Sequence, residues 1–519
     1  MASADSNGQQ QDSAYKRLAA RSTALAAAAA CLVLLVRLGY KPLTAWDEGI
    51  YAEVSREMLG HSWLAPHWNA VLWFEKPPLM LWITAVFFKL FGVHEWTARL
   101  GSALSGVALV ALLHRWLAAR CDQLGAWLST LFLLSSFGFL HICGLGEMDV
   151  LLSLGCAVAL FGLVKVQDKD PAGWYGFWLG FAIALMTKGA ASVVLPVALV
   201  LIILFGRWGR GYYGRPFLFG FAMFLAIVLP WHIAMLQRYG SVFVSEYLGF
   251  HVMNRATSQI EGHVTHPWYY LGVLLISAIP WVLLYPFAMA ATFRKPELRY
   301  LRLFSIFALV VLTFFSAVQT RLPHYIAPMY PALTLITAVY AADKLRAWRV
   351  PQQAAIQRTG WVLAALALWG VGALVTTAPR KRLHSAKFAP GAPPPDNREL
   401  AQLLKDVRRR SDLPDGPLLL WNAAHDVPIT PAVFYAQRPV RQINLCPDSS
   451  GEPPDKPDKY TNDSQTLGEA TATGEPRMIL LDRSLLSGLP ADEVFVPLES
   501  GKTLAVGTVT RRSIGTMEK

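Results

Sequence analysis

Apolar runs of about twenty residues recur through the first three quarters of the chain, and they constrain the fold more than any other feature. A helix of that length rises ~30 Å, the thickness of the hydrocarbon core of a bilayer. Inside lipid every backbone polar group must be satisfied within the segment, so single runs of this kind fold as helices. About eleven are found by the ~20-residue criterion, at 22–40, 97–118, 123–142, 146–165, 172–187, 189–206, 216–236, 268–290, 301–318, 325–342 and 359–377. The pair at 172–206 is joined only by a tight Thr-Lys-Gly turn. Composition agrees: 54% of residues are hydrophobic and 16% charged, where soluble chains carry about a quarter charged. The alternation of a membrane β-barrel is absent. The fold class is a polytopic α-helical membrane protein.

The net charge of +12 does not point to nucleic acid, because the cations sit in short loops between apolar runs. With residues 1–21 placed in the cytoplasm as a polar, disordered N-terminus, the cytoplasmic loops hold Arg115 and Arg120, Lys165 and Lys169, Arg207 to Arg215, Arg294 to Arg302, and Lys344 to Arg358. The opposite loops are poor in Lys and Arg, as the positive-inside rule requires. The first run ends in Arg-Leu-Gly-Tyr-Lys without a small-residue cleavage site, which reads as an anchor and not a removed signal peptide. Residues 77–93 are apolar but short, and Lys89 interrupts them. If they spanned, every later basic loop would land outside, so an interfacial or re-entrant helix is expected there, with a second surface helix at 48–60. The transmembrane domain then covers 22–378. An odd number of spans puts the tail outside: a Pro-rich linker at 379–397, then a small α/β domain over 398–519 with a flexible insertion at 447–475. Four of the five cysteines lie in or beside apolar runs, and no metal-type or disulfide spacing appears.

The unusual polar residues fall on one side of this topology. Asp47, Glu48, Glu75 and Lys76 lie in the first outer loop; Glu147 and Asp149 open the fourth span; Lys188 is in the Thr-Lys-Gly turn. His251, Arg255, Glu261, His263 and His266 follow the seventh span, and Arg321, His324 and Tyr325 precede the tenth. Ionisable groups at membrane depth are expensive, so a one-sided collection points to a site. Each also has a bland reading. Asp47 suits an N-cap, Glu48 a first-turn dipole partner, Lys76 an interfacial snorkeler, and Asp149 a partner for a neighbouring cation.

The ordered motifs TAWDEGIYAEVSREML, WFEKPPLMLW, MTKG, HPWYY…IPW and RLPHYIAPMYP resemble the C-type glycosyltransferases that use polyprenyl-phosphate sugars. The likeness is greatest to the bacterial aminoarabinose transferases of lipid A within the protein O-mannosyltransferase-like superfamily, and it covers roughly residues 20–345. It implies the C-type glycosyltransferase fold in a multi-pass protein of the bacterial inner membrane, with N-terminus cytoplasmic and C-terminal domain periplasmic. It also implies an enzyme that takes a sugar, with inversion, from a polyprenyl-phosphate donor to a lipid A or protein acceptor, with no nucleic acid involved. By the same resemblance Asp47 and Asp149 are the catalytic carboxylates and Lys76 lies near the donor phosphate. Arg255, Arg321 and Tyr325 are expected to help bind that phosphate; Glu48, Glu75, Lys188, His251 and His263 are expected to support the site. Glu75 with His263 could hold a divalent metal, although two ligands are too few to define a site. The surroundings of Asp149, GEMDV, and the sequence EGHVTHPWYY depart from the aminoarabinose-transferase pattern, which leaves the acceptor open. A flippase for lipid-linked sugars is the alternative of another class; it should carry polar residues through the midplane and on both faces. A membrane scaffold without catalysis is a third, and it would not need the one-sided carboxylates.

Overall fold

The computed structural model describes residues 2–44, 46–206, 213–247, 266, 268–376, 397–421, 429–443, 467–483, 486, 489 and 492–511. The helices, in chain order, are α1 (Ala2–Leu35), α2 (Asp47–Glu57), α3 (Leu79–Phe91), α4 (Glu95–Arg120), α5 (Gln123–Ser135), α6 (Phe137–Cys143), α7 (Asp149–Gln167), α8 (Gly173–Lys188), α9 (Val194–Gly206) and α10 (Arg215–Val244). They continue as α11 (Tyr269–Ser277), α12 (Tyr285–Arg294), α13 (Arg302–Ala317), α14 (Met329–Ala347), α15 (Gln352–Thr376), α16 (Asn397–Arg408), α17 (Ile429–Ala436) and α18 (Leu467–Ala470). The strands are β1 (His67–Trp68), β2 (Val71–Leu72), β3 (Leu418–Trp421), β4 (Val440–Ile443), β5 (Arg477–Asp482), β6 (Glu493–Ser500) and β7 (Leu504–Arg511). Two compact units result, one made of Met1–Tyr40 with Phe74–Ala378, the other of Lys41–Trp73 with Pro379–Lys519. The first outer loop, read from the sequence as part of the membrane domain, thus groups with the C-terminal tail. The linker at 379–397 lies, but for Asn397, outside the described residues, as does 447–466 of the insertion at 447–475.

The first unit is a polytopic helical membrane protein. Among the described residues six helices are long and apolar enough to cross a bilayer, or up to eight if each of two bent pairs is one span. The bent pairs are α5 with α6, at 69°, and α11 with the helix Trp281–Arg294, at 117°. The count is lower than eleven for physical reasons. The segments read as separate spans at 172–187 and 189–206 run on through a 3-10 stretch, Gly189–Val193, as a single candidate, Gly173–Leu204. The last turns of α14 carry Asp343, Lys344 and Arg346, which dilute its hydropathy. Leu204, Leu218, Phe219 and Ile276 are exposed, the outward apolar surface a helix presents to lipid.

Close backbone approach sets the central hairpin of this unit. Gly155 and Gly162 of α7 face Gly173, Gly176 and Gly180 of α8; a Cβ added at Gly155 would come within 2.8 Å of the Gly180 carbonyl oxygen and 2.9 Å of the Ala184 nitrogen. Small residues at such contacts let two membrane helices pack backbone to backbone. Because the two helices are antiparallel neighbours, the first residue of α7, Asp149, and the last of α8, Lys188, emerge at the same end.

The second unit is a mixed sheet flanked by short helices, with strand order β4-β3-β5-β7-β6. β3 pairs parallel with β4 and β5, while β7 runs antiparallel to β5 and β6. Leu419, Trp421, Ile479, Leu481, Ala505 and Val509 form one buried cluster on it. α16 buries Leu400, Leu404 and Val407, the one-face spacing of an amphipathic helix. Its Glu399 carboxylate accepts the Thr503 and Leu504 amides at 2.7 and 2.9 Å, pinning the helix to the start of β7. α17 packs on α2. β1 and β2 form a hairpin whose turn residues, Asn69 and Ala70, have φ of 54° and 64°, the backbone that a tight two-residue turn requires. The Asn69 amide then exchanges hydrogen bonds with the backbone of Val440, donating at 2.9 Å and accepting at 2.8 Å. It thereby stands in for a strand at the start of β4.

Candidate active site

In the membrane unit the site is built around a buried ion pair. Lys188 Nζ lies 2.7 Å from Asp149 Oδ1 and 2.8 Å from Oδ2, with the two side chains 8% and 2% exposed. Each charge also sits where its helix favours it, Asp149 at the N-terminus of α7 and Lys188 at the C-terminus of α8. The ammonium lies 5.3 Å from the ring centre of Tyr325. His324 Nδ1 is 3.8 Å from Glu147 Oε2. Ligand atoms of Glu147, Asp149 and His324 all fall within 4.8 Å of one another, a group able to hold a metal ion.

The Phe-Glu-Lys-Pro motif joins this end of the unit. Phe74 is fully buried against Tyr239 and Phe243 of the segment that ends α10, at 5.1 and 5.4 Å between ring centres. Glu75 and Lys76 are each 8% exposed. Gly189, directly after Lys188, has φ 53°; a Cβ there would come within 3.6 Å of Pro77 Cδ and 2.8 Å of the Tyr247 hydroxyl. Two motifs more than a hundred residues apart therefore pack together, and only glycine fits the turn between them. Arg321 spends its Nε, Nη1 and Nη2 on the carbonyls of Val318, His266 and Ser316, at 3.1, 3.1 and 2.6 Å. Three of its donors thereby tie its own loop to the backbone at His266. His251, Arg255 and His263 lie outside the described residues.

Asp47 and Glu48 belong to the second unit. Asp47 is the first residue of α2, not its cap; the capping position is Trp46, at φ 65° and ψ −128°, and no side chain caps the helix. The N-cap reading of Asp47 therefore fails. Its carboxylate is partly buried and makes no hydrogen bond among the described residues. Glu48 is 0% exposed, and its Oε2 accepts the Thr44 amide at 2.6 Å and the Thr44 hydroxyl at 3.0 Å. Further along α2, Glu53 is fully buried and accepts two hydrogen bonds from Arg56, at 2.8 and 2.7 Å. Burial pushes the Glu53 carboxyl up to about 7, against the pull of Arg56 and with Glu57 adding to the rise.

Sequence reasoning did not anticipate the metal-type cluster as a set. Glu147 and His324 were each visible as outer-face polar residues, but nothing in the spacing brings a residue of the α6–α7 loop to one before α14. The cluster does not include Glu75. Its two carboxylates and one imidazole are a donor set that divalent cations accept. Both Asp149 oxygens are already hydrogen-bonded to Lys188, and each keeps a lone pair, so a cation would share that carboxylate with the ammonium.

Comparison with known proteins bears on this arrangement. Residues 75–234 match the family model "Dolichyl-phosphate-mannose-protein mannosyltransferase", a stretch that opens at Glu75 and includes Asp149 and Lys188. The undecaprenyl phosphate-alpha-4-amino-4-deoxy-L-arabinose arabinosyl transferase of Yersinia pestis (strain Pestoides F) is 32% identical over 339 residues, 60% of this chain and 58% of that one. The Shewanella sediminis enzyme of the same name is 29% identical over 318 residues, 59% of this chain and 57% of its own. The chain thus spans under two thirds of the length of these curated relatives. ArnT from Cupriavidus metallidurans, solved bound to undecaprenyl phosphate, superposes with a TM-score of 0.71 over 93% of this chain and 97% of that one, at 22% identity. The chain has the C-type glycosyltransferase fold and is related to the aminoarabinose-transferase-like membrane proteins, as its motifs imply.

Proposed function

We propose that the protein is an inverting glycosyltransferase that moves a sugar from a polyprenyl-phosphate donor to an acceptor at the periplasmic face of a bacterial inner membrane. In this reading the membrane unit crosses eleven times, with the N-terminus cytoplasmic and the C-terminal domain periplasmic. The observation that carries the reading is the buried Lys188–Asp149 pair, set beside Tyr325, Glu147 and His324 at one end of the α7–α8 hairpin. Such a pair adds little net stability over well-packed apolar residues, so stability alone gives no reason to keep it. The kinship with arabinosyl transferases named for an undecaprenyl-phosphate sugar, and the fold shared with a protein solved holding undecaprenyl phosphate, support a donor of that chemistry.

In the reaction an acceptor oxygen attacks the anomeric carbon while the bond from that carbon to the phosphate oxygen breaks. The leaving phosphate gains negative charge, which cationic groups stabilise most when they are pre-positioned. Lys76 and Lys188 supply that charge, and Tyr325 can donate a hydrogen bond to a phosphate oxygen. A divalent cation held by Glu147, Asp149 and His324 would add positive charge at the same place. Asp47, partly open and unengaged, accepts or orients the proton of an attacking hydroxyl; Glu48 fixes the start of its helix. The favoured acceptor is a lipid A phosphate or hydroxyl, by kinship with the aminoarabinose transferases. The match to the mannosyltransferase model keeps a protein hydroxyl as the second reading.

The test is transfer of isotopically labelled sugar from polyprenyl phosphate by purified protein in lipid, with lipid A and a peptide pool offered together. Label on lipid A in the wild type, lost in Asp47→Asn, is the expected result. Label on peptide moves the acceptor to protein. Donor crossing the bilayer without transfer would replace the enzyme with a flippase.

A further inference from the structure

The backbone just before Asp47 is strained and is held by residues from the far end of the chain. Trp46 is an L-residue at φ 65° and ψ −128°, a conformation that persists only where surroundings impose it. Its amide donates to the Thr430 hydroxyl oxygen at 2.8 Å, across 384 residues of sequence. Three residues earlier, the Leu43 amide donates to the Tyr435 hydroxyl at 2.8 Å, and the Leu43 carbonyl accepts from the Asn397 amide at 3.1 Å. Asn397, Thr430 and Tyr435 are 6%, 3% and 1% exposed. On the other flank of Asp47, a Cβ at Gly49 would come within 3.1 to 3.3 Å of the backbone of Thr430 and Pro431, so α2 rests directly on the start of α17. Buried side-chain hydroxyls and amides ordinarily satisfy their own neighbourhood; here three of them are spent on a five-residue stretch whose last member carries the unengaged carboxylate.

We propose that Thr430 is a positioning residue for Asp47: its hydroxyl holds Trp46 in the strained conformation that sets the direction of the Asp47 carboxylate. The C-terminal domain then serves the reaction by completing the geometry of the acceptor-side carboxylate. This rests on the reading of Asp47 as the group that acts on the acceptor. Removing the acceptor atom at Thr430 leaves the Trp46 amide without its partner and frees the peptide to relax, which turns the carboxylate away without removing it. A displacement of the order of 1 Å at such a group costs up to about a hundredfold in rate.

The experiment compares full-length wild type, Thr430→Val, Thr430→Ala, Thr430→Ser and Asp47→Asn in lipid nanodiscs, with labelled polyprenyl-phosphate sugar and the acceptor found for the wild type. Thr430→Val is expected to lower kcat by about tenfold or more with the donor KM within about twofold of wild type, and Thr430→Ser to recover most of the loss. Because a smaller active fraction also lowers apparent kcat at unchanged KM, kcat is referred to folded protein, counted by monodisperse elution and donor binding; a loss that vanishes on that normalisation is structural and overturns the role. Wild-type kcat in Thr430→Val, alongside an inactive Asp47→Asn, overturns the positioning role and leaves the function standing. Activity retained in Asp47→Asn overturns both. If Thr430→Val does not fold, Thr430→Ala and Thr430→Ser decide: the role requires a lowered kcat at unchanged donor KM in Thr430→Ala and near-wild-type kcat in Thr430→Ser, and wild-type kcat in Thr430→Ala refutes it.

Discussion

Replacing Lys188 by Met tests whether the ion pair is held for chemistry or for stability. Two unit charges at the observed 2.7 Å attract by roughly 6 kcal/mol at an effective dielectric of about 20. Desolvation of each ion costs several kcal/mol, so the pair as a whole contributes little net stability. Breaking it is another matter, because a carboxylate 2% exposed is left without its counter-charge. The expected cost of Lys188→Met is about 3–5 kcal/mol, with a similar cost for Asp149→Leu. The double variant replaces both charges by apolar groups, and its stability should return to within about 1–2 kcal/mol of wild type. The assay is unfolding of the full-length protein in mixed micelles titrated with SDS, followed by tryptophan fluorescence, with sugar transfer measured on the same samples. Restored stability without restored transfer is the expected outcome. Single-variant costs that simply add, to within about 0.5 kcal/mol, would mean that the two side chains are not coupled, and the reasoning would fail.

Three further outcomes follow from the geometry. Gly180→Ala drives a Cβ into the backbone of Ala159 and Gly155 and should destabilise the membrane unit by about 1–3 kcal/mol, read as a lowered midpoint in the same SDS titration; an unchanged midpoint would show that α7 and α8 do not pack as closely as described. Asn69→Ala removes both bonds to Val440, one to its N–H and one to its carbonyl, a loss of about 2–3 kcal/mol that should appear as faster proteolysis of the C-terminal domain; wild-type protease resistance counts against the clamp. Glu53 has a carboxyl raised in the folded state from 4.5 to about 7, so the folded form binds the extra proton: its contribution is complete below pH 4.5 and is lost as pH rises through 7, by roughly 3 kcal/mol. The thermal midpoint of wild type should fall over that window relative to Glu53→Gln, and parallel pH profiles would exclude the effect.

The membrane class, the positions of the main helices and the strands of the tail were legible because each rests on a local pattern. Apolar length marks α4, α7 and α10, and alternating or continuous apolar runs mark β3, β5 and β7. Pairings were legible only in part. The bland reading of Asp149, a partner for a nearby cation, names the contact the structure shows with Lys188, but which cation could not be read from spacing, since it depends on the α7–α8 hairpin closing. Arg321 shows the reverse limit. Residue type marks it as a phosphate ligand, while carbonyls of its own loop and of His266 take three of its donors. The grouping of residues 41–73 with the tail was invisible, because its contacts are single side chains on backbone, such as Thr430 on Trp46, with no periodic signature. The span count of eleven took the runs at 172–206 as two; they join through the Gly189 turn and a 3-10 stretch, so apolar length counts them as one candidate, Gly173–Leu204.

The glycine interface and the buried pair form one argument about design. A buried charged pair is no more stable than a well-packed apolar replacement, so stability gives no reason to build it. What the α7–α8 packing supplies is precision. With Gly155, Gly162, Gly173, Gly176 and Gly180 at the contact, the two backbones touch, and the relative height of Asp149 and Lys188 is fixed by main chain and not by adjustable side chains. A Leu-lined interface would hold the helices ~8–10 Å apart and leave the ammonium to reach the carboxylate through flexible rotamers. Pre-positioned charge is what stabilises a leaving phosphate, and a rigid hairpin is the cheapest way to hold it. Loosening that interface should therefore reduce transfer before it unfolds the protein: a variant such as Gly180→Ala that keeps most of its stability is expected to lose a larger share of kcat than of folded fraction.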